Sequence, residues 1–167
     1  MTNSLLFALT FFAALGCGLV AGTFFAFSTF VMNALARIPS AQGIAAMQSI
    51  NIVVINPWFM TAFLGTAAAC VLLFVSSLLR WHKPGAGYLL VGSLLYLVGT
   101  LLVTMVFNVP RNDALAAADP ASADSANLWV SYVSSWTAWN HVRTAAALVA
   151  AALLTIALWL ARDEGAA

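Results

Sequence analysis

Charge is what this sequence has least of. Of its 167 residues six are Lys or Arg and five are Asp or Glu, 7% of the chain where a soluble domain carries about 25%. With 63% hydrophobic residues and a mean hydropathy of +0.99, there is too little polar surface to cover a water-soluble core of this size. The chain is therefore expected in a lipid bilayer. A net charge of +1 sets up no field that would gather phosphates, which excludes nucleic acid as a partner. Cysteine is scarce too. Cys17 and Cys70 lie in separate apolar runs with no CxxC pair, which excludes a quinone-linked disulfide oxidase and a thiolate metal cage. Both read as small buried hydrophobes.

Long apolar runs are what the chain does have. At roughly 20 residues per crossing, the sparse charges separate four spans, at about 4–34, 57–79, 87–107 and 142–161. The expected fold is all-α: a single-domain integral membrane four-helix bundle. Residues 1–36 carry no charge, unlike a secretory signal with its basic start, so the first run reads as a true span. Ala14, Gly18, Gly22 and Ala26 form a small-residue stripe, read as a packing seam. Asn56-Pro57 supplies an N-cap and a first-turn proline to the second span. Residues 40–54, with a cap-like Ser40, suggest an extra helix leaning on the bundle or lying at the interface. Pro110 reads as a break ending the third span. The polar stretch 109–141 then reads as a loop whose second half, rich in Trp129, Tyr132, Trp136 and Trp139, returns to the interface as a helix.

Arg80, Lys83 and Arg162 fall on one side and Arg37 and Arg111 on the other, with Arg143 near the boundary. The slight bias places both termini in the cytoplasm. A bacterial inner membrane is the expected location.

No Asp, Glu, Lys or Arg falls in the middle of a span so drawn, which argues against a proton-coupled exporter. The two histidines flank opposite ends of the bundle and cannot share one metal or haem within one chain. His82, between Arg80 and Lys83, reads as an exposed turn residue. His141 stands in WTAWNHVRT, where helical spacing puts Trp136, Asn140 and Arg143 on one face and Thr137, His141 and Thr144 on the next. An aromatic wall beside an amide, an imidazole and a guanidinium suits a flat oxygenated molecule. An interfacial anchor is the plainer reading of the same residues. Asn108, Arg111 and Asn112 at the end of the third span, with Asn51 and Asn56 before the second, add polar groups on the same membrane face.

Four stretches carry a resemblance: residues 24–32 (FFAFSTFVM), 50–59 with its Asn-Pro-Trp, 106–112 (VFNVPRN) and 136–143 (WTAWNHVR). Together they resemble the anthrone oxygenase-like membrane family. The resemblance implies a four-helix membrane protein whose characterised members oxidise an anthrone to an anthraquinone with molecular oxygen, with no cofactor and no metal. It implies His141 as the base and Arg143 or Arg111 as the oxyanion stabiliser. Asn108, Asn112 and Asn140 would orient substrate oxygens, with Trp136 and Trp139 stacking on the rings and Asn56 nearby. The expected partners are the bilayer, a hydrophobic aromatic and dioxygen. The alternatives are a non-catalytic protein binding a hydrophobic ligand, or a partner subunit packed through Gly18 and Gly22. A homo-oligomer would be the way to bring two copies of His141 to one metal or haem.

Overall fold

In hydrocarbon every backbone N–H and C=O must find its partner within the chain, so these apolar runs can cross only as helices. The structure, a computed structural model, describes residues 3–163; the side chains of Asn3, Ala123, Arg162 and Asp163 lie outside that description, and with them the orientation signal of Arg162. Helices α1 (Asn3–Ala26), α2 (Met32–Leu35), α3 (Ser40–Val53), α4 (Pro57–Leu79), α5 (Ala86–Leu94), α6 (Val109–Ala116) and α7 (Ala123–Asp163) follow in order. Three π-helical segments, Phe27–Val31, Leu95–Leu102 and Thr104–Asn108, join α1 to α2 and α5 to α6 without a break. Four helices are long and apolar enough to cross a membrane: Ser4–Leu35, Pro57–Leu79, Ala86–Ala116 and Asp124–Ala161.

The four spans form a ring in which each packs on its chain neighbours, and the first closes onto the fourth. Asn56 caps α4 as its sequence suggests, accepting from the backbone N–H groups of Trp58 and Phe59 at 3.1 Å each. The apolar core inside the ring includes Cys17, Val20, Phe63, Cys70, Leu73, Tyr96, Ala147 and Leu154. Both cysteines are free and fully buried, and they face one another across α1 and α4. A side chain is sterically excluded at Gly99, where a Cβ would fall 2.5 Å from that of Ala146 on α7, and at Gly16, which receives the side chain of Thr66. The stripe at Gly18 and Gly22 is not the internal seam: both glycines face outward with nothing within 4 Å, because the buried face of α1 runs through Ala13, Cys17, Val20, Ala21 and Phe24.

The third and fourth helices differ most from their expected boundaries. Pro110 does not end the third span. It sits in the first turn of α6, just past a π segment, where a missing N–H costs little, and the helix continues to Ala116. The stretch expected as a loop with an interfacial helix is mostly the first half of α7, continuous with the fourth span. Its 41 residues make a rod of about 60 Å at 1.5 Å per residue, twice the roughly 30 Å of hydrocarbon. The overhanging half is held by a second apolar core, Met32, Ile44, Met47, Leu115, Trp129, Tyr132 and Trp136, in which α3 closes over α7. Gln48 of α3 secures this cap by donating to the carbonyls of Leu115 (2.8 Å) and Ala118 (3.0 Å). Ser40 makes no capping bond; Pro39 holds the cap position of α3.

Candidate binding site

Where the membrane core meets the cap, the extension of α7 has a consequence that its sequence hides. Arg143 is not a boundary residue but the middle residue of α7, and only 4% of it is exposed. The span that seemed free of charge therefore holds a buried cation. The described acidic side chains, Asp113, Asp119 and Asp124, are all exposed, and none pairs with it. Its stabilisation comes from neutral groups. Nη2 donates to Asn140 Oδ1 at 2.6 Å and Nη1 to Thr104 Oγ1 at 3.2 Å, while the guanidinium lies over the rings of Phe24 and Trp136. Its Nε is buried without a partner.

Asn140, fully buried, is the bracket of this arrangement. Its Nδ2 donates to the Phe24 carbonyl and to Ser28 Oγ, both at 2.7 Å, so its Oδ1 is left to accept from Arg143. Ser28 and Thr104 both lie in π segments, whose wider turns recur at functional sites. Two interrupted helices thus converge with α7 on a charged group that is alone in the interior among the described residues.

Arg143 lines a cavity of about 300 Å³ walled by all four spans and by α3. Phe24, Phe27, Met47, Phe59 and Phe63 make it apolar, and its polar groups are few: Thr23, Asn51, Thr104, Asn112 and Arg143. It opens sideways between α4 and the third span, where Leu64, Met105 and Val109 are both lining and exposed. That size and composition fit a flat aromatic molecule of a few rings bearing an acceptor oxygen for the guanidinium.

Of the residues expected at a site, the structure brings Arg143, Asn112 and Trp136 to this cavity. Asn112 Oδ1 accepts from the Tyr132 hydroxyl and from Trp136 Nε1, both at 2.8 Å. Asn140 acts behind them. Asn108, 1% exposed, donates to the Trp136 carbonyl and fastens the third helix to α7 without reaching the cavity. Arg111 spends its donors on Ser135 and the Phe107 carbonyl, Trp139 stacks on Phe107 at 3.6 Å, and Asn56 is occupied in capping. His141 lies on the exposed face of α7, one residue round from Asn140, and does not line the cavity. Asn51, grouped on the same membrane face from the sequence, lines the cavity, whereas Phe24, Ser28 and Thr104 were not assigned roles from the sequence. The signal that could have found two of them was a hydroxyl inside an otherwise apolar run. Among the described residues no group of three or more His, Cys, Asp or Glu side chains comes together.

Fold and site together define an all-helical integral membrane protein with an interior cavity governed by one buried guanidinium. The sequence pattern of the anthrone oxygenase family matches residues 58–153, more than half of the chain, and the chain belongs to that family. The matched stretch runs from the start of α4 into the second half of α7 and includes Thr104, Asn112, Trp136 and Arg143. No curated protein and no solved structure matches the chain.

Proposed function

We propose that the cavity binds a lipophilic anthrone- or hydroquinone-like aromatic and promotes its oxidation by dioxygen to a quinone, with Arg143 holding the substrate oxygen as it becomes an oxyanion. The observation that carries this reading is a buried guanidinium, on a residue that lines an apolar cavity, which pairs with none of the described acidic side chains and whose Nε has no hydrogen-bond partner. Such a group lowers the energy of any ligand state that puts negative charge on oxygen, and more so out of water. An anthrone that loses a methylene proton gives an anthranolate with its charge on that oxygen. The electron-rich carbon passes one electron to dioxygen and combines with the superoxide formed. The resulting hydroperoxide loses water to leave the second carbonyl, so one oxygen atom enters the product and the other leaves as water. This route needs no resident cofactor, because the substrate anion is itself the reductant.

Among the described residues neither an imidazole nor a carboxylate lines the cavity. In this reading the proton passes to water, and the site acts by stabilising the anion rather than by supplying a base. The same feature favours one second reading, a non-catalytic carrier of an aromatic ketone. Oxygen uptake by the purified protein in lipid nanodiscs with anthrone, corrected for autoxidation, separates the two. Uptake above the background of the Arg143→Met variant supports the oxygenase, and ligand binding without uptake selects the carrier. We further propose that both termini lie in the cytoplasm of a bacterial cell, which puts the cap and the cavity at the outer face.

A further inference from the structure

Two residues that line the cavity carry buried nitrogen donors with no partner, Arg143 at Nε and Asn51 at Nδ2. The third donor is set by chemistry rather than by choice of rotamer. An indole N–H can only donate, and both Trp136 Nε1 and the Tyr132 hydroxyl bond to the same atom of Asn112, which must therefore be its carbonyl oxygen. That fixes the amide, turning the NH2 of Asn112 away from the two rings that hold it, on a side chain that lines the cavity. Arg143 meets the face of the Trp136 ring and Asn112 its Nε1 edge, so the two donors stand one indole apart. They come from different helices, α7 and α6, and Asn51 adds its donor from α3.

From this we infer that Asn112 is a specificity-determining residue, donating from Nδ2 to a second ligand oxygen while the first lies on Arg143, with Asn51 supporting it on the same wall. The inference rests on the reading of the cavity as an aromatic-ketone site and adds that it selects for two acceptor oxygens over one. A donor turned toward an apolar cavity favours a ligand that satisfies it and disfavours one that buries it unpaired. A quinone is thus preferred to a ketone with one oxygen, and the product of the proposed reaction binds more tightly than its substrate.

The test is anaerobic binding, which involves no turnover. The full chain in nanodiscs is titrated with 9,10-anthraquinone, which has two carbonyl oxygens, and with anthrone, which has one, following tryptophan fluorescence. About tenfold tighter binding of the quinone is expected for one satisfied buried donor. Asn112→Leu should abolish that preference, chiefly by weakening the quinone. Asn112→Asp keeps the acceptor for Tyr132 and Trp136, removes the N–H donors and adds a carboxylate near Arg143, so it should weaken both ligands and lose the preference even if the leucine variant fails to fold. A preference that survives in Asn112→Asp, an equal loss for both ligands in Asn112→Leu, or no binding of either ligand to the unmutated protein overturns the assignment. Failure of the oxygenase reading appears separately, as absent oxygen uptake with this ligand preference intact.

Discussion

The guanidinium carbon of Arg143 stands 4.1 Å from the centre of the Phe24 ring and 5.1 Å from that of Trp136, a cation held against two aromatic faces in place of a carboxylate. Contacts of this kind contribute about 2 kcal/mol or more each when desolvated, and they leave the positive charge uncancelled. A carboxylate would hold Arg143 more firmly and remove the reason for an anionic ligand to enter.

Stability and activity are therefore expected to separate at this residue. Arg143→Met removes a buried charge but leaves Asn140 Oδ1 without its donor, so a stability loss of about 1–3 kcal/mol is expected while oxygen uptake with anthrone falls by about 10² or more. Arg143→Lys should lose as much uptake, because an ammonium cannot reach Asn140, Thr104 and both rings together. Thermal unfolding measured beside oxygen uptake checks both; full activity in either variant removes the guanidinium from the mechanism.

Asn140→Asp tests the uncancelled charge directly. The substitution keeps an acceptor where Nη2 finds one now, at 2.6 Å, and places a negative charge there. A protein that folds with reduced stability, because a carboxylate oxygen replaces the donor facing the Phe24 carbonyl, and whose uptake falls by about 10² is expected, since the oxyanion would compete with a resident carboxylate. Asn140→Leu, by contrast, removes the buried hydrogen bonds to the Phe24 carbonyl, Ser28 Oγ and Arg143 Nη2 together and should destabilise the fold by about 2–5 kcal/mol, read in chemical unfolding.

His141→Gln should retain oxygen uptake to within about twofold, because the imidazole lies on the outer face of α7 away from the cavity. A positioned general base contributes about 10²–10⁴ in rate. A loss of that size would reinstate His141 as the base.

Trp139→Leu should act on the fold alone. Its ring stacks on Phe107, outside the cavity, so a loss of about 1 kcal/mol in stability with turnover unchanged is the expected pair of results. A changed KM for anthrone would show that this ring reaches the ligand after all.

Topology can be read by labelling. With the termini inside, a cysteine at Ser122 reacts with an impermeant maleimide in intact cells and one at His82 is protected. The opposite pattern reverses the orientation.

The four spans were legible because hydropathy alone marks them, and Asn56-Pro57 fixed the start of α4 to the residue. The true extent of α6 and α7 was not. Asn108, Pro110, Asp113 and Asp119 read locally as loop, and what keeps the surrounding chain helical is contact between Leu115, Trp129, Tyr132 and Trp136 and Ile44 and Met47 of a helix nearly 70 residues away from α6 in sequence. The site followed the same division. Helical spacing grouped Trp136, Asn140 and Arg143 apart from His141, but which face turned inward depended on how α7 packs on the first and third spans, which local sequence does not specify.

On the proposed reading, the exposed lining residues Leu64, Met105 and Val109 make the lipid phase, rather than bulk water, the reservoir from which a ligand would be drawn. The quantity that saturates such a site is the mole fraction of ligand among lipids. At a fixed total amount of anthrone, adding empty bilayer dilutes it in two dimensions, and an apparent KM expressed per litre of water rises with the amount of lipid in the assay.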